Sequence, residues 1–281
     1  MPAPKRRAET VRRLSLIWHQ RKPRDNHAMN IAELWQFPVK GLGGSKISTA
    51  KLTAGGYFPN DRRFALSTGA SRVAEAAPGE WLKKAYFLQL MTHDALADYT
   101  ASFRDDARHP CLTITHRDGT QIALDPTTPA GCAQLEAFCA TAFADALSGT
   151  PRLMAMQDQA YSDQPTALIS LASTASLGAF AMASNTPASN RRFRINIIMT
   201  GDVPFAEQSL IGKRLQCGTA VIDVKAPVGR CAAINVNPET SRRDSDHLAM
   251  MRQTFGHSIL GIFAEVVTGG KITVGDQIKV I

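Results

Sequence analysis

The chain is constrained most by a succession of short segments that alternate apolar and polar residues, each ended by Gly, Pro, Asn or Asp. "IAELWQFPVK" (31–40) reads as a strand running into a turn over Pro38–Gly44, and "KLTAGGYFPNDRRFALS" (51–67) as two strands around a Gly/Pro/Asn turn. "AYFLQLMT" (85–92) is strand-like, and "CLTITHRDGTQIAL" (111–124) carries a hairpin signal at Asp118–Gly119. Short strands with turn chemistry this dense predict a small barrel or sandwich.

After residue 125 the period becomes helical. In "CAQLEAFCATAFADALSG" (132–149) Leu135, Phe138, Cys139, Phe143, Ala146 and Leu147 share one face, and Gly149 is a stop signal. "TALISLASTASLGAFAMASN" (166–185) gives a strand and a short helix that Ser173 can cap. Strands are expected at 192–201, 214–227 and 231–237, and a helix over 244–256 ending at Gly256. A closing strand pair should turn at Gly269–Gly270. The fold class is β-rich α+β, with a basic, disordered leader (1–28), a small N-terminal barrel (29–125), a helix and linker (126–164) and a second barrel with flanking helices (165–281).

Charge is uneven. Of the net +8, residues 1–28 hold +6, from eight basic and two acidic side chains. Such an arm can touch nucleic acid or an anionic membrane. A bland leader, or translation starting at Met29, accounts for it better, because Trp18 is its one aromatic residue and no nucleic-acid motif follows. No run reaches the roughly 18–20 apolar residues of a membrane span, and no signal peptide opens the chain, so a cytoplasmic protein is expected. The five cysteines lack CxxC spacing and the seven histidines form no cluster, which argues against a disulfide framework and structural zinc.

Two stretches invite chemistry. On a strand, "RFRIN" would place Arg192, Arg194 and Asn196 on one face, roughly 6–7 Å apart. Guanidiniums that close suit a phosphate between them; the other reading is a solvated face with acids opposite. Cys231 follows Arg230, a neighbour that favours thiolate, although a lone cysteine taken by itself reads as a buried structural one. "GLGGSK" (41–46) lacks the spacing of a phosphate loop and reads as a turn; "TGGKITVGD" (268–276) reads as a hairpin.

Taken in order, "RFRINIIMTGDVPFAEQSLIGKRLQCG", "PVGRCAAINVNPETSRRD", "FGH…GIFAEV" and "GGKITVGDQI" resemble the signature of the MOSC domain. "FPVKGLGGSKI…GGYFPNDRRFAL" resembles the β-barrel domain that precedes it in that family. The family includes the mitochondrial amidoxime-reducing component and bacterial reductases of N-hydroxylated compounds. The resemblance implies a molybdenum–molybdopterin cofactor with Cys231 as metal ligand and catalytic residue. It implies that Lys40, Gly41, Arg62, Thr166, Arg194, Asn196 and Arg230 hold the pterin and its phosphate, with Arg192 and Arg63 as supporting cations. Relatives often carry Ser where this chain has Gly41, and a backbone N–H of the Gly41–Gly44 turn can replace that hydroxyl contact. The implied activity is reduction of N-hydroxylated, N-oxide or S-oxide small molecules by oxygen-atom transfer at molybdenum. The chain has no cysteine set for an iron–sulfur cluster, so electrons would come from a separate ferredoxin, flavoprotein or cytochrome. The alternative is a non-catalytic carrier of cofactor or sulfur on Cys231. No nucleic-acid partner and no pyridoxal phosphate are expected.

Overall fold

A computed structural model describes residues 29–70, 80, 82–156, 159–162 and 166–281. The leader, and parts of the linker, lie outside them. In chain order the strands are β1 (Met29–Gln36), β2 (Ser45–Ile47), β3 (Thr49–Leu52), β4 (Phe64–Leu66), β5 (Tyr99–Arg104), β6 (Cys111–His116), β7 (Gln121–Leu124), β8 (Leu153–Ala155), β9 (Ile169–Ser173) and β10 (Ile197–Met199). They continue with β11 (Arg214–Cys217), β12 (Ala220–Gly229), β13 (Ile259–Thr268), β14 (Gly270–Thr273) and β15 (Gln277–Val280). The described helices are α1 (Pro129–Ala142), α2 (Thr174–Ser184) and α3 (His247–Phe255).

Seven strands close a barrel in the order β10, β9, β13, β12, β11, β15, β1, with β1 pairing back onto β10. Inward residues such as Ile31, Leu171, Ile197, Leu215, Ile222, Ile262 and Ile278 fill it with aliphatic side chains that are at most 2% exposed. β9 and β10 run parallel, as a crossover through α2 requires. Thus β1, from the N-terminal stretch, is a stave of the barrel otherwise built from residues after 168. β3 pairs with β14 in the same way, across more than two hundred residues.

A second core lies around β5–β6–β7, where α1 sets Leu135, Cys139 and Phe143 against Phe64, Leu66, Phe103 and Leu112. Asp118–Gly119 turns the β6–β7 hairpin, with Gly119 at φ +94°. Thr128 caps α1 by accepting from Gly131 N, and Ser173 caps α2 by accepting from Ser176 N. A third core packs α2 and α3 on the barrel through Phe180, Phe193, Met251 and Phe255. Gly256 ends α3 in the left-handed region.

Four local expectations are corrected. Residues 84–86 form a 3₁₀ turn, not a strand, and residues 232–235 form another in place of the strand expected over 231–237. Residues 192–196 are loop: a 3₁₀ turn covers Asn190–Arg192, and Arg194 sits at φ +59°. The cause is Asn190, whose side chain accepts from Ile195 N (2.9 Å) and donates to Ile195 O (2.6 Å), tying the loop shut. Finally, β13 and β14 do not form a hairpin at Gly269–Gly270, because β14 leaves to pair with β3.

Candidate functional site

The sequence-selected residues converge. Lys40, Gly41, Arg62, Thr166, Arg192, Arg194, Asn196, Arg230 and Cys231 all line one cavity of about 410 Å³. It opens where the end of β12 meets the 38–43 turn, the 60–62 turn and the 190–196 loop. Six lining side chains are cationic (Lys84 is the sixth) and one, Asp61, is acidic. Arg63 is not among the lining residues; it pairs with Asp105 at 2.9 Å and lies over the Phe103 ring.

Five of the six cations are fixed by backbone carbonyls or an aromatic face. The Arg230 guanidinium donates to Leu260 O through Nε (2.9 Å) and Nη2, and to Phe193 O through Nη1 (2.8 Å). Its plane lies over the Phe193 ring, 5.4 Å from the centroid. Burial pushes its pKa down to about 9; the adjacent Cys231 charge opposes this and Arg62 adds to it. Arg192, 6% exposed, donates to Ile234 O (2.7 Å) and Val236 O (2.9 Å), and burial lowers its pKa against the pull of Asp244. Arg194 donates to Leu42 O and lies 4.9 Å from the Phe37 centroid. Arg62 pairs with Asp61, whose other oxygen accepts from Phe37 N at 3.0 Å, and lies 5.7 Å from the same ring. Lys40, 7% exposed, donates from Nζ to Tyr161 O at 2.8 Å. Apart from Arg62, which Asp61 pairs, these cations are oriented by carbonyl dipoles that leave their charge uncancelled, so the cavity favours an anion.

Neutral donors complete the wall. Asn196 Oδ1 accepts from Ser170 N (3.1 Å) and Ser170 Oγ (2.8 Å), which fixes the amide; its Nδ2 is buried and has no partner. Thr166 is exposed at the lining. Gly41 has φ +89°, and a Cβ there would stand 2.9 Å from Leu88 O, so the turn itself requires glycine. Cys231 is solvent-exposed, unlike buried Cys139 and Cys217, whose thiols burial pushes up to about 12. The bland buried-cysteine reading of residue 231 is thereby corrected.

Sequence reading missed Asp61, although it stands inside the quoted "NDRRF", where the arginines drew attention. It also missed Tyr57 and Ser162, which line the cavity. Burial raises the Tyr57 phenol, partly offset by its hydrogen bond with Ser162. No local pattern marks Lys84, because its place depends on the 84–86 turn, at the start of a stretch (85–92) expected to be a strand.

As a class, then, this is a two-part β protein whose barrel carries a cation-walled cavity with one solvent-facing thiol at its edge. The model of the MOSC N-terminal beta barrel domain matches residues 28–137 and that of the MOSC domain matches 158–279, so the chain belongs to the MOSC domain proteins that carry this N-terminal barrel. MOSC domains are associated with molybdenum-cofactor binding. A molybdenum cofactor sulfurase of Caenorhabditis elegans is 24% identical over 246 residues, 81% of this chain and 32% of that protein. The chain thus spans about a third of that relative's length. Among solved structures, the YuaD protein of Bacillus subtilis is 14% identical with a TM-score of 0.45, over 90% of this chain and 96% of that one. YiiM of Geobacillus stearothermophilus is 19% identical with a TM-score of 0.33, over 40% of this chain and 53% of that one. No described helix is long and apolar enough to cross a membrane.

Proposed function

We propose that this chain is a molybdenum-cofactor-dependent oxidoreductase that reduces N-hydroxylated, N-oxide or S-oxide small molecules. The observation that carries the reading is the exposed Cys231 thiol at the edge of a cavity with six cations and one carboxylate. A molybdopterin fits this donor set. Among the described residues no group of three or more His, Cys, Asp and Glu gathers, so the protein offers a metal one sulfur, and a pterin dithiolene brings two more. The unpartnered Asn196 Nδ2 and the fixed guanidiniums suit a pterin edge and its phosphate.

When bound, the molybdenum centre supplies two-electron chemistry that removes oxygen from an N–O or S–O bond. In this reading Cys231 holds the metal at the solvent-facing edge, where a substrate can reach it. Arg62, Arg192, Arg194, Arg230 and Lys40 neutralise the cofactor's charge, while Gly41 N–H, Thr166 and Asn196 contribute neutral hydrogen bonds. Reducing an N-hydroxyl to N–H and water consumes two electrons and two protons, so a separate ferredoxin, flavoprotein or cytochrome delivers the electrons.

A second reading, a carrier that passes on cofactor or a Cys231 persulfide, draws on the same exposed thiol and on the likeness to a cofactor sulfurase. One experiment separates the two: molybdenum analysis, pterin fluorescence and viologen-driven reduction of an N-hydroxy compound by wild type and Cys231→Ser. The reductase reading expects wild type to turn over and Cys231→Ser to keep pterin while losing turnover by about a hundredfold or more, as for a group acting at the reacting centre. Wild type that holds metal or sulfur and never turns over is a carrier.

A further inference from the structure

Arg243 lies twelve residues beyond Cys231 and does not line the cavity, yet its guanidinium ties together two chain segments that do. Nη1 donates to Ala232 O at 3.0 Å, the first carbonyl after Cys231. Nη2 donates to Met91 O (2.7 Å) and Leu90 O (3.2 Å) and pairs with Asp94 at 2.8 Å. Leu90 and Met91 line the cavity, and so do Cys231, Ala233 and Ile234. The arginine itself is anchored, since Arg243 bridges Val236 in antiparallel fashion and Asn237 N donates to Arg242 O at 2.8 Å. Apart from Asp94, everything it grips is backbone carbonyl, the acceptor pattern of a brace between two chain segments.

We infer that Arg243 is a positioning residue that sets the width of the cavity mouth beside Cys231, by bracing the Leu90–Met91 segment against the turn that carries the thiol. The braced segment then forms an apolar wall next to the sulfur and limits the size of molecule that reaches it. Lysine cannot reproduce the brace, because a point ammonium cannot hold three carbonyls in two segments at the spacing of a planar fork. The inference deepens the reading of this cavity as a site, but its test needs no cofactor.

The test is alkylation of Cys231 in the full chain, produced in a host that makes no molybdenum cofactor and followed by mass spectrometry of the Cys231 peptide. Iodoacetamide is the small probe and fluorescein maleimide the bulky one. In Arg243→Gln the bulky-to-small rate ratio should rise about five- to tenfold over wild type, as expected when the bonds that hold the mouth closed are lost. Arg243→Lys should fall between, with a melting temperature near that of wild type. If Arg243→Gln yields no folded protein, Arg243→Lys carries the test with the same sign and smaller size. An unchanged ratio in the folded variant overturns the inference, as does an equal rise for both probes, which means general loosening. Either result stands whether or not the chain proves to be a reductase.

Discussion

Gly41 shows how one residue can look like a departure and be a requirement. Against relatives with serine, its sequence suggests a lost hydroxyl contact; its backbone shows why the hydroxyl is absent. At φ +89° a Cβ would lie 2.9 Å from Leu88 O and 3.1 Å from Leu96 Cδ1. Gly41→Ser should therefore cost about 1–3 kcal/mol, the range for a side chain forced into the left-handed region against backbone. Urea denaturation measures it, and a midpoint equal to wild type would show that the turn relaxes freely. At this scale the site was largely legible, because its chemistry is carried by charged residues in ordered motifs. Asp61 was not: a carboxylate that orients Arg62 and caps Phe37 N leaves no pattern beyond its place in line.

Elements were legible where local chemistry decides them. Ser173 and Gly256 mark helix ends, and Asp118–Gly119 marks a hairpin, by bonds within a few residues. The 192–196 stretch misleads for the same reason in reverse. Its Arg-Phe-Arg-Ile-Asn alternation is strand-like, and the bonds that overrule it come from Asn190, two residues upstream of the pattern. Asn190→Asp tests that account. The acid keeps an acceptor for Ile195 N but sets a second oxygen against Ile195 O, where the amide donated at 2.6 Å. Turning that buried bond into a repulsion should destabilise the protein by about 1–3 kcal/mol, with faster amide exchange at Arg194 and Ile195 than elsewhere. Uniformly faster exchange would mean the loop is held by other contacts.

At the scale of the whole molecule, pairing partners were the illegible part. Nothing near β1 or β14 announces that the first closes a barrel of C-terminal strands or that the second pairs with β3. The cavity inherits this, since its walls come from residues 40–62, 84–91, 160–234 and Phe263, so site and global fold should weaken together. His247 offers a measure. It is 1% exposed at the start of α3, its ring 5.2 Å from that of Phe180, with Asp244 3.5 Å from Nε2, too far for a strong bond. Burial, then the Arg192 charge, lower its pKa from the ordinary 6.5, against Asp244 and Asp246. A folded state that resists protonation binds fewer protons than the unfolded chain below pH 6.5. This contribution to stability is therefore fully present above about pH 6.5 and is lost as pH falls through the lowered folded value. His247→Phe, which fills the space and leaves no ring nitrogen to protonate, should flatten that decline in denaturant midpoints measured from about pH 7.5 down to about pH 5.5, roughly one unit either side of the ordinary histidine value. A midpoint slope that His247→Phe leaves unchanged would assign the acid sensitivity to other groups.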